Sequence, residues 1–389
     1  KGANSVTGNT VLGENALDAS VSGSNNTAIG KDTLTLLTSG GNNTAIGSGA
    51  LADNTTGSFN VAIGRQALKD NTTADNNIGI GRAALGLNTT GTQNVAVGAL
   101  ALDANTTAGN NTAIGYNTLS ANTTGGNNTA VGRNALAANT TGGNNTAVGK
   151  NALDSCTTGG NNTALGESAA ATVSTGVQNV AVGALSLDAN TTASNNTAVG
   201  YASLTANTSG QFNTAIGSLA LAANTTASGN SALGYAALDA VTTSTGHAAF
   251  GYLALTSVTS GNNNTGVGYN AGANITTGSQ NVVMGTLALD ATTTGHNNIA
   301  IGHQAMTANT TGGNNIGIGR DALAANTTAD NNTGIGYFAL NSNTTGSQNT
   351  AVGSISLDAN TTGDFNSAFG YDTLGSNTEG NSNTALGYE

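Results

Sequence analysis

Large apolar side chains return in strict phase along this chain. Ile29, Ile46, Ile63, Ile80, Val97 and Ile114 each precede a glycine, and that glycine recurs every 17 residues from Gly13 to Gly387 without a slip. Numbering each unit from its glycine gives the pattern G-x-x-A-L-x-x-N-T-T-G-x-x-N-T-A-[VI], of which residues 132–148 are a clean copy. A short fixed period means that each unit stacks on its neighbour and buries a face it cannot bury alone. Column 17 is always large and apolar, and column 15 is mostly β-branched (Thr44, Val61, Ile78, Val95, Ile299). Two such columns, two residues apart, predict one strand with columns 15 and 17 pointing inward and column 16 outward. Column 5, Leu in 19 of 22 complete units, predicts a second inward position on another short strand. The pattern therefore predicts an all-β fold, a parallel β-solenoid (β-roll) of about 22 coils of 17 residues. It forms a single array over residues 1–389, a segment of a longer fibre, whose first complete unit starts at Gly13. At ~4.8 Å per coil such an array is a rod of roughly 105 Å.

The polar columns are as ordered as the apolar ones. Column 8 is usually Asn, yet its replacements include Leu37, Cys156, Val173, Val241, Val258 and Ile275. A column that accepts aliphatics faces inward, so Asn54, Asn71, Asn88, Asn105, Asn122 and Asn139 are expected to form an amide ladder from coil to coil. Cys156 then reads as a small buried apolar substitute. Column 14 is Asn in every unit but that of His247, and is expected to close a turn through its own backbone. Columns 1 and 11 are small, as corners with positive φ or close approach require. Columns 4 and 16 stay small throughout, apart from Val11 and Val283. Two readings remain open for them: close packing against a second and third copy of the chain, or the lining of a flattened core within one coil.

Composition narrows the function classes. The formal net charge is −11 with only 7% charged residues, which argues against a nucleic-acid partner. The single cysteine rules out a disulfide framework within the chain, and no apolar run is long enough to span a bilayer within this segment. The three histidines (His247, His296, His303) fall in different columns, so no metal site and no cofactor is expected. Acidic residues recur at column 6 (Asp103, Asp154, Asp188, Asp239, Asp290, Asp358) and read as solvated charges that discourage lateral aggregation. No Ser/His/Asp arrangement, phosphate loop or paired-carboxylate cleft is visible, so an enzyme is not expected. The many Asn-Thr-Thr and Asn-Asn-Thr acceptor sequences follow automatically from the structural columns.

The strings Asn60-Val61-Ala62-Ile63-Gly64, Asn94-Val95-Ala96-Val97-Gly98 and Asn179-Val180-Ala181-Val182-Gly183 resemble the N-x-V-A-I-G core of YadA-like head repeats. The segment from Asn196 to Leu204 is also similar to repeats of tail-fibre-like proteins. That family implies a left-handed parallel β-roll, a homotrimer, and a place outside the cell, on a cell surface or in a virion fibre. The adhesin head repeat is shorter than 17 residues and has no regular N-T-T-G segment.

Column 2 is the candidate recognition stripe. All eight tyrosines and six of the eight basic residues sit there, including Tyr116, Arg133, Tyr201, Tyr235, Tyr252, Tyr269, Arg320, Tyr337 and Tyr371. Tyr and Arg are enriched at interfaces, and a host-surface or glycan ligand suits the stripe. The competing reading is that these long side chains cover the joint between protomers. A second variant, Gln at column 13 (Gln93, Gln178, Gln280, Gln348) followed by an apolar residue at the next column 3, marks either lateral contacts or a duplicated packing variant.

Three functions remain. The first is a fibre or adhesin segment that acts as a stiff spacer and attachment surface. The second is a single-chain solenoid that self-assembles end to end into a filament. The third is an ice-binding solenoid, which the adjacent placement of the Thr pair at columns 9 and 10 disfavours, because neighbours in a strand point to opposite sides.

Overall fold

The computed structural model describes residues 6–389; the first five residues of the 1–389 array lie outside them. The chain forms two compact units, Lys1–Asn195 and Asn196–Glu389. The first holds strands β1 (Thr10–Leu12) to β11 (Val180–Val182), and the second holds β12 (Thr197–Val199) to β23 (Thr384–Leu386). Every strand is three residues long, and no helix occurs among the described residues. Within each unit successive strands pair in parallel with a 17-residue shift, as in Thr27↔Thr44, Ala28↔Ala45 and Ile29↔Ile46, or Thr214↔Ser231, Ala215↔Ala232 and Ile216↔Leu233. The fold is a parallel β-solenoid.

The coil has one strand rather than the expected two. Columns 2–7 run as turns, with left-handed backbone at columns 3 and 5, for example Asn134 (φ 57°) and Leu136 (φ 52°). Leucine avoids this region by about 1–3 kcal/mol. Here it is held there because its side chain is fully buried and its amide bonds the next coil, as in Leu136 N–H to Ala152 O at 3.0 Å.

The orientation of the strand is opposite to the one expected. Column 16 points into the coil and is fully buried (Ala28, Ala62, Ala96, Ala130, Ala181), whereas columns 15 and 17 point outward. The reason lies across the coil. A Cβ added at Gly79 comes within 3.2 Å of Leu68 Cγ, and at Gly266 within 2.7 Å of Leu255 Cγ. The leucine of column 5 fills the interior, so opposite it the strand position accepts only Ala or Gly; the buried Val283 stands in the coil whose column 5 is Gly272. Column 4 is buried in the same layer (Ala50, Ala84, Thr118, Ser203). Of the two readings open for columns 4 and 16, the flattened core within one coil holds, and packing of these columns against other chains is excluded by their burial.

Polar ladders complete the core. Column 8 amides chain through Asn71 Nδ2 to Asn54 Oδ1 (3.0 Å), Asn88 to Asn71 (2.9 Å), Asn105 to Asn88 (2.8 Å), Asn122 to Asn105 (3.0 Å) and Asn139 to Asn122 (2.8 Å). Column 14 does not close a local turn. Its Oδ1 accepts the backbone N–H of the column 14 residue in the next coil, as Asn26 does from Asn43 at 3.0 Å. Its Nδ2 donates to the column 11 carbonyl of that coil, as Asn43 does to Gly57 O at 2.9 Å. The same carbonyl accepts from Asn54 Nδ2 at 2.9 Å, so both lone pairs are used and the two Asn columns are joined there. Column 1 has the positive φ that only glycine takes freely (Gly47, φ 128°), and a Cβ there would meet the carbonyl of Gly64 at 2.6 Å.

Candidate functional site

What a partner would meet is set by the columns that leave the core. Columns 15 and 17 form a row of outward side chains on the strands. Column 17 is Val, Ile, Leu, Phe or Met in every coil, and Ile114, Leu165, Phe250 and Met284 are 41%, 46%, 41% and 46% exposed. More than half of the strands open with Thr at column 15, and the rest with Val, Ile, Ser or Ala. No strand carries a charge. Side chains on one face of parallel, in-register strands stand ~4.8 Å apart from coil to coil, so each unit presents an uncharged, regularly ruled face.

Column 2 lies just past the strand, beyond the glycine corner. Tyr235, Tyr252 and Tyr269 stack ring on ring, with centroids 5.3 and 5.4 Å apart and interplanar angles of 14° and 6°. Tyr371 and Tyr388 stack likewise at 5.1 Å. Tyr235, Tyr252 and Tyr269 remain about half-exposed, but Tyr252 has both faces taken by its neighbours, so the run presents ring edges rather than open faces. Arg320 sits 5.8 Å from the Tyr337 ring centre and donates from Nε to Asp321 Oδ2 at 3.1 Å, and Tyr337 also meets Phe338 at 4.5 Å. Lys31 and Lys150 pair with column 2 glutamates of adjacent coils, Glu14 at 3.2 Å and Glu167 at 2.9 Å. Tyr116 and Tyr201 are exposed and outside the stacked run, and Arg133 is exposed between Tyr116 and Lys150 in the column. The structure thus gathers Tyr235, Tyr252 and Tyr269 into one cluster and Arg320 with Tyr337 into another. It keeps Tyr371 with Tyr388 and leaves Tyr116, Arg133 and Tyr201 as separate positions.

The remaining candidates are structural. Column 9 threonines donate to the column 9 carbonyl of the next coil (Thr55 Oγ1 to Thr72 O, 3.0 Å), and column 10 is exposed, so the pair divides between two environments. Cys156 is fully buried, and burial pushes its thiol up to about 11, so it is a core residue and not a nucleophile. The column 6 carboxylates are not fully solvated as expected. Asp103, Asp154, Asp188, Asp239, Asp290 and Asp358 are half-buried, and desolvation raises each above the ordinary carboxyl value. His247 takes the place of a column 14 asparagine. Its Nδ1 accepts the Asn264 amide at 3.2 Å, its Nε2 lies 3.2 Å from Ser244 Oγ, and burial holds its pKa below the usual value.

Among the described residues, no group of three or more His, Cys, Asp or Glu is placed to hold a metal ion, and no helix is long and apolar enough to cross a membrane. The feature that sequence reasoning missed is the outward face of columns 15 and 17. Its signal was present in the drift of column 17 from Val to Phe, which a close-packed interior would not absorb. No family model matches the chain, and no curated protein does.

Proposed function

We propose that this chain is a structural β-solenoid segment of an extracellular fibre or adhesin, on a cell surface or virion. In this reading it assembles side by side with two further copies through columns 15 and 17 and carries column 2 as its attachment stripe. The observation behind this reading is column 17: a large apolar side chain stands outward in every coil, about 40% exposed at many positions. A contiguous apolar row of this kind on a soluble protein marks an interaction surface. A second copy is a fitting partner because the face carries no charge to repel itself and repeats with the same 17-residue step on both sides. The resemblance to YadA-like head repeats, whose heads are trimers, supports the same assembly. Column 2 then flanks the joint, where its stacked tyrosines stiffen the rim and Tyr116 and Arg133 stay available to a host-surface or glycan ligand.

Charging the face tests the assembly. Val131→Lys, Val148→Lys and Leu165→Lys together should leave the circular dichroism of the coil intact, since all three point outward, and should reduce the assembled mass to that of one chain. An unchanged mass would overturn this use of the face. The end-to-end filament does not use columns 15 and 17, so it predicts no effect of these changes.

One observation favours a second reading. Thr at column 15 beside a methyl-bearing residue at column 17, repeated on consecutive parallel strands, is a ruled array of hydroxyls and methyls suited to ordering water against ice. Thermal hysteresis that disappears with Thr129→Lys and Thr146→Lys would favour it over the fibre.

A further inference from the structure

Asn-x-Thr acceptor sequences fall in two columns of the coil, and the fold treats the two differently. At column 8 the acceptor nitrogen is sealed in the core. Asn105 is fully buried, and its Nδ2 donates both protons, to Asn88 Oδ1 at 2.8 Å and to Ala108 O at 3.0 Å. At column 13 the sequence Asn-Asn-Thr runs out, in and out again. Asn127 is exposed, Asn128 is buried in the column 14 ladder, and Thr129 stands outward on its strand. Asn110, Asn144, Asn161, Asn195 and Asn263 are exposed in the same way, each followed by a buried Asn and an outward Thr. Among the described residues, neither these carboxamide nitrogens nor the threonine hydroxyls two residues on donate to a hydrogen bond within the chain. The two groups that define an N-glycosylation acceptor therefore face solvent together.

The fold does not explain why the two residues occur together. Left-handed backbone at column 13 favours Asn, but Phe59, Gln93 and Ser382 hold the same conformation there (φ 61°, 60° and 59°). Column 15 accepts Val and Ile as readily as Thr, as at Val61, Ile78 and Val95. Yet the columns are matched. Of the 12 coils with Asn at column 13, nine have Thr at column 15, against three of the ten other coils. Gln93, Gln178 and Gln280, which keep the carboxamide but are not acceptors, are followed by Val95, Val180 and Val282. The side chains of columns 13 and 15 do not bond one another among the described residues, so packing gives no reason for the pairing.

We propose that the column 13 asparagines followed by Thr at column 15 are N-glycosylated, each with a single sugar. The co-reactants are a nucleotide-linked sugar and a glycosyltransferase. The bond that forms joins Asn Nδ2 to the anomeric carbon, and the bond that breaks joins that carbon to the donor's phosphate oxygen. The electron pair leaves with the nucleotide phosphate, and the displaced Nδ2 proton passes to a base of the transferase. Spacing sets the size of the adduct. Asn110, Asn127, Asn144 and Asn161 stand in four consecutive coils, ~4.8 Å apart, which leaves room for one ring per coil and not for a branched oligosaccharide. This inference goes beyond the lateral assembly and does not depend on it, because the transferase acts on columns 13 and 15 before another copy covers the face.

Tandem mass spectrometry on digests of the chain isolated from its native source tests this. Single-sugar adducts are expected at column 13 where Thr follows, and none at column 8. Asn76, Asn297 and Asn314 are built-in controls: they are exposed at column 13 but followed by Ile78, Ile299 and Ile316, so they should stay unmodified. In a second measurement the purified folded chain is incubated with a soluble asparagine glucosyltransferase and UDP-glucose. It should take glucose at the same column 13 sites, and at column 8 only after denaturation. Thr129→Val should abolish the adduct on Asn127, and Thr129→Ser should keep it. Val and Ser already stand at column 15, at Val61 and Ser231, so both variants should fold, and circular dichroism checks this. An unmodified column 13 in the native chain, oligosaccharides in place of single sugars, adducts on the three controls or on column 8 of the folded chain, or an Asn127 adduct that survives Thr129→Val would each overturn the proposal.

Discussion

The column 8 ladder makes a prediction that depends on position within a run. Each Asn donates through Nδ2 to the Oδ1 of the preceding coil, so the last Asn of a run has an acceptor with nothing to receive. Asn139 Oδ1, facing Cys156, and Asn224 Oδ1, facing Val241, are both buried and unpartnered. Replacing Asn105 by Val in the middle of a run orphans Asn88 Oδ1 and removes the acceptor that Asn122 Nδ2 uses. Replacing Asn139 by Val orphans Asn122 Oδ1 but also deletes the acceptor that was already orphaned, so the number of unsatisfied groups does not change. Both variants lose the bond to a column 11 carbonyl, and both gain the same buried Val, so these contributions cancel in the comparison. What remains is two extra unsatisfied groups in the mid-run variant, at about 1–3 kcal/mol each. Asn105→Val should therefore be less stable than Asn139→Val by about 2–6 kcal/mol, with local relaxation favouring the low end. Repeat arrays need not unfold in one step, so the suitable assay is hydrogen–deuterium exchange of the peptides covering each altered coil. Equal protection in the two variants, or weaker protection around residue 139, would refute the ladder as an energetic unit.

Other outcomes follow from the same geometry. The column 6 carboxyls have folded values raised by desolvation. Their protonated form is favoured by the fold, and the stability this brings is complete below about 3.8 and lost as pH rises through the raised values. The thermal midpoint should accordingly rise on acidification toward pH 4 rather than fall, and scanning calorimetry checks this. His247 has the opposite sign: its folded value is lowered, so it loses stability as pH falls below about 6.5. His247→Asn, which restores the column 14 ladder, should remove that part of the pH dependence. Ala130→Leu drives a large side chain against Leu119 across the coil and should cost at least about 1–3 kcal/mol, seen in urea unfolding, whereas Val131→Ala on the outer face should leave a lone coil nearly unchanged. The Cys156 thiol should resist maleimide at pH 7 until the chain is unfolded.

The repeat itself, the parallel stacking and the inward column 8 were legible from residues alone. Column 8 was readable because Cys156, Val173 and Ile275 replace Asn there, and only burial unites those choices. The strand orientation was not, because alternation with a period of two fixes which residues share a face but not which face is inside. Size pointed the wrong way: the larger residues of columns 15 and 17 are outside because Leu at column 5 leaves room only for Ala or Gly opposite. Column 14 was read as a local turn, although its near-invariance as Asn, never Asp or Ser, reflects the need for a donor and an acceptor on one side chain. The second strand was expected from Leu at column 5, and a residue that disfavours left-handed backbone gives no warning that it will adopt it. The tyrosines of column 2 were placed outside correctly. That three of them cover one another follows from their consecutive coils, Tyr235, Tyr252 and Tyr269.

The central claim is that the apolar face of columns 15 and 17 is covered by copies of this chain. Static light scattering on the purified segment, at several concentrations, tests it most directly. A concentration-independent mass three times 37.5 kDa is predicted. A mass of 37.5 kDa at every concentration, or one that grows steadily with concentration, would contradict it.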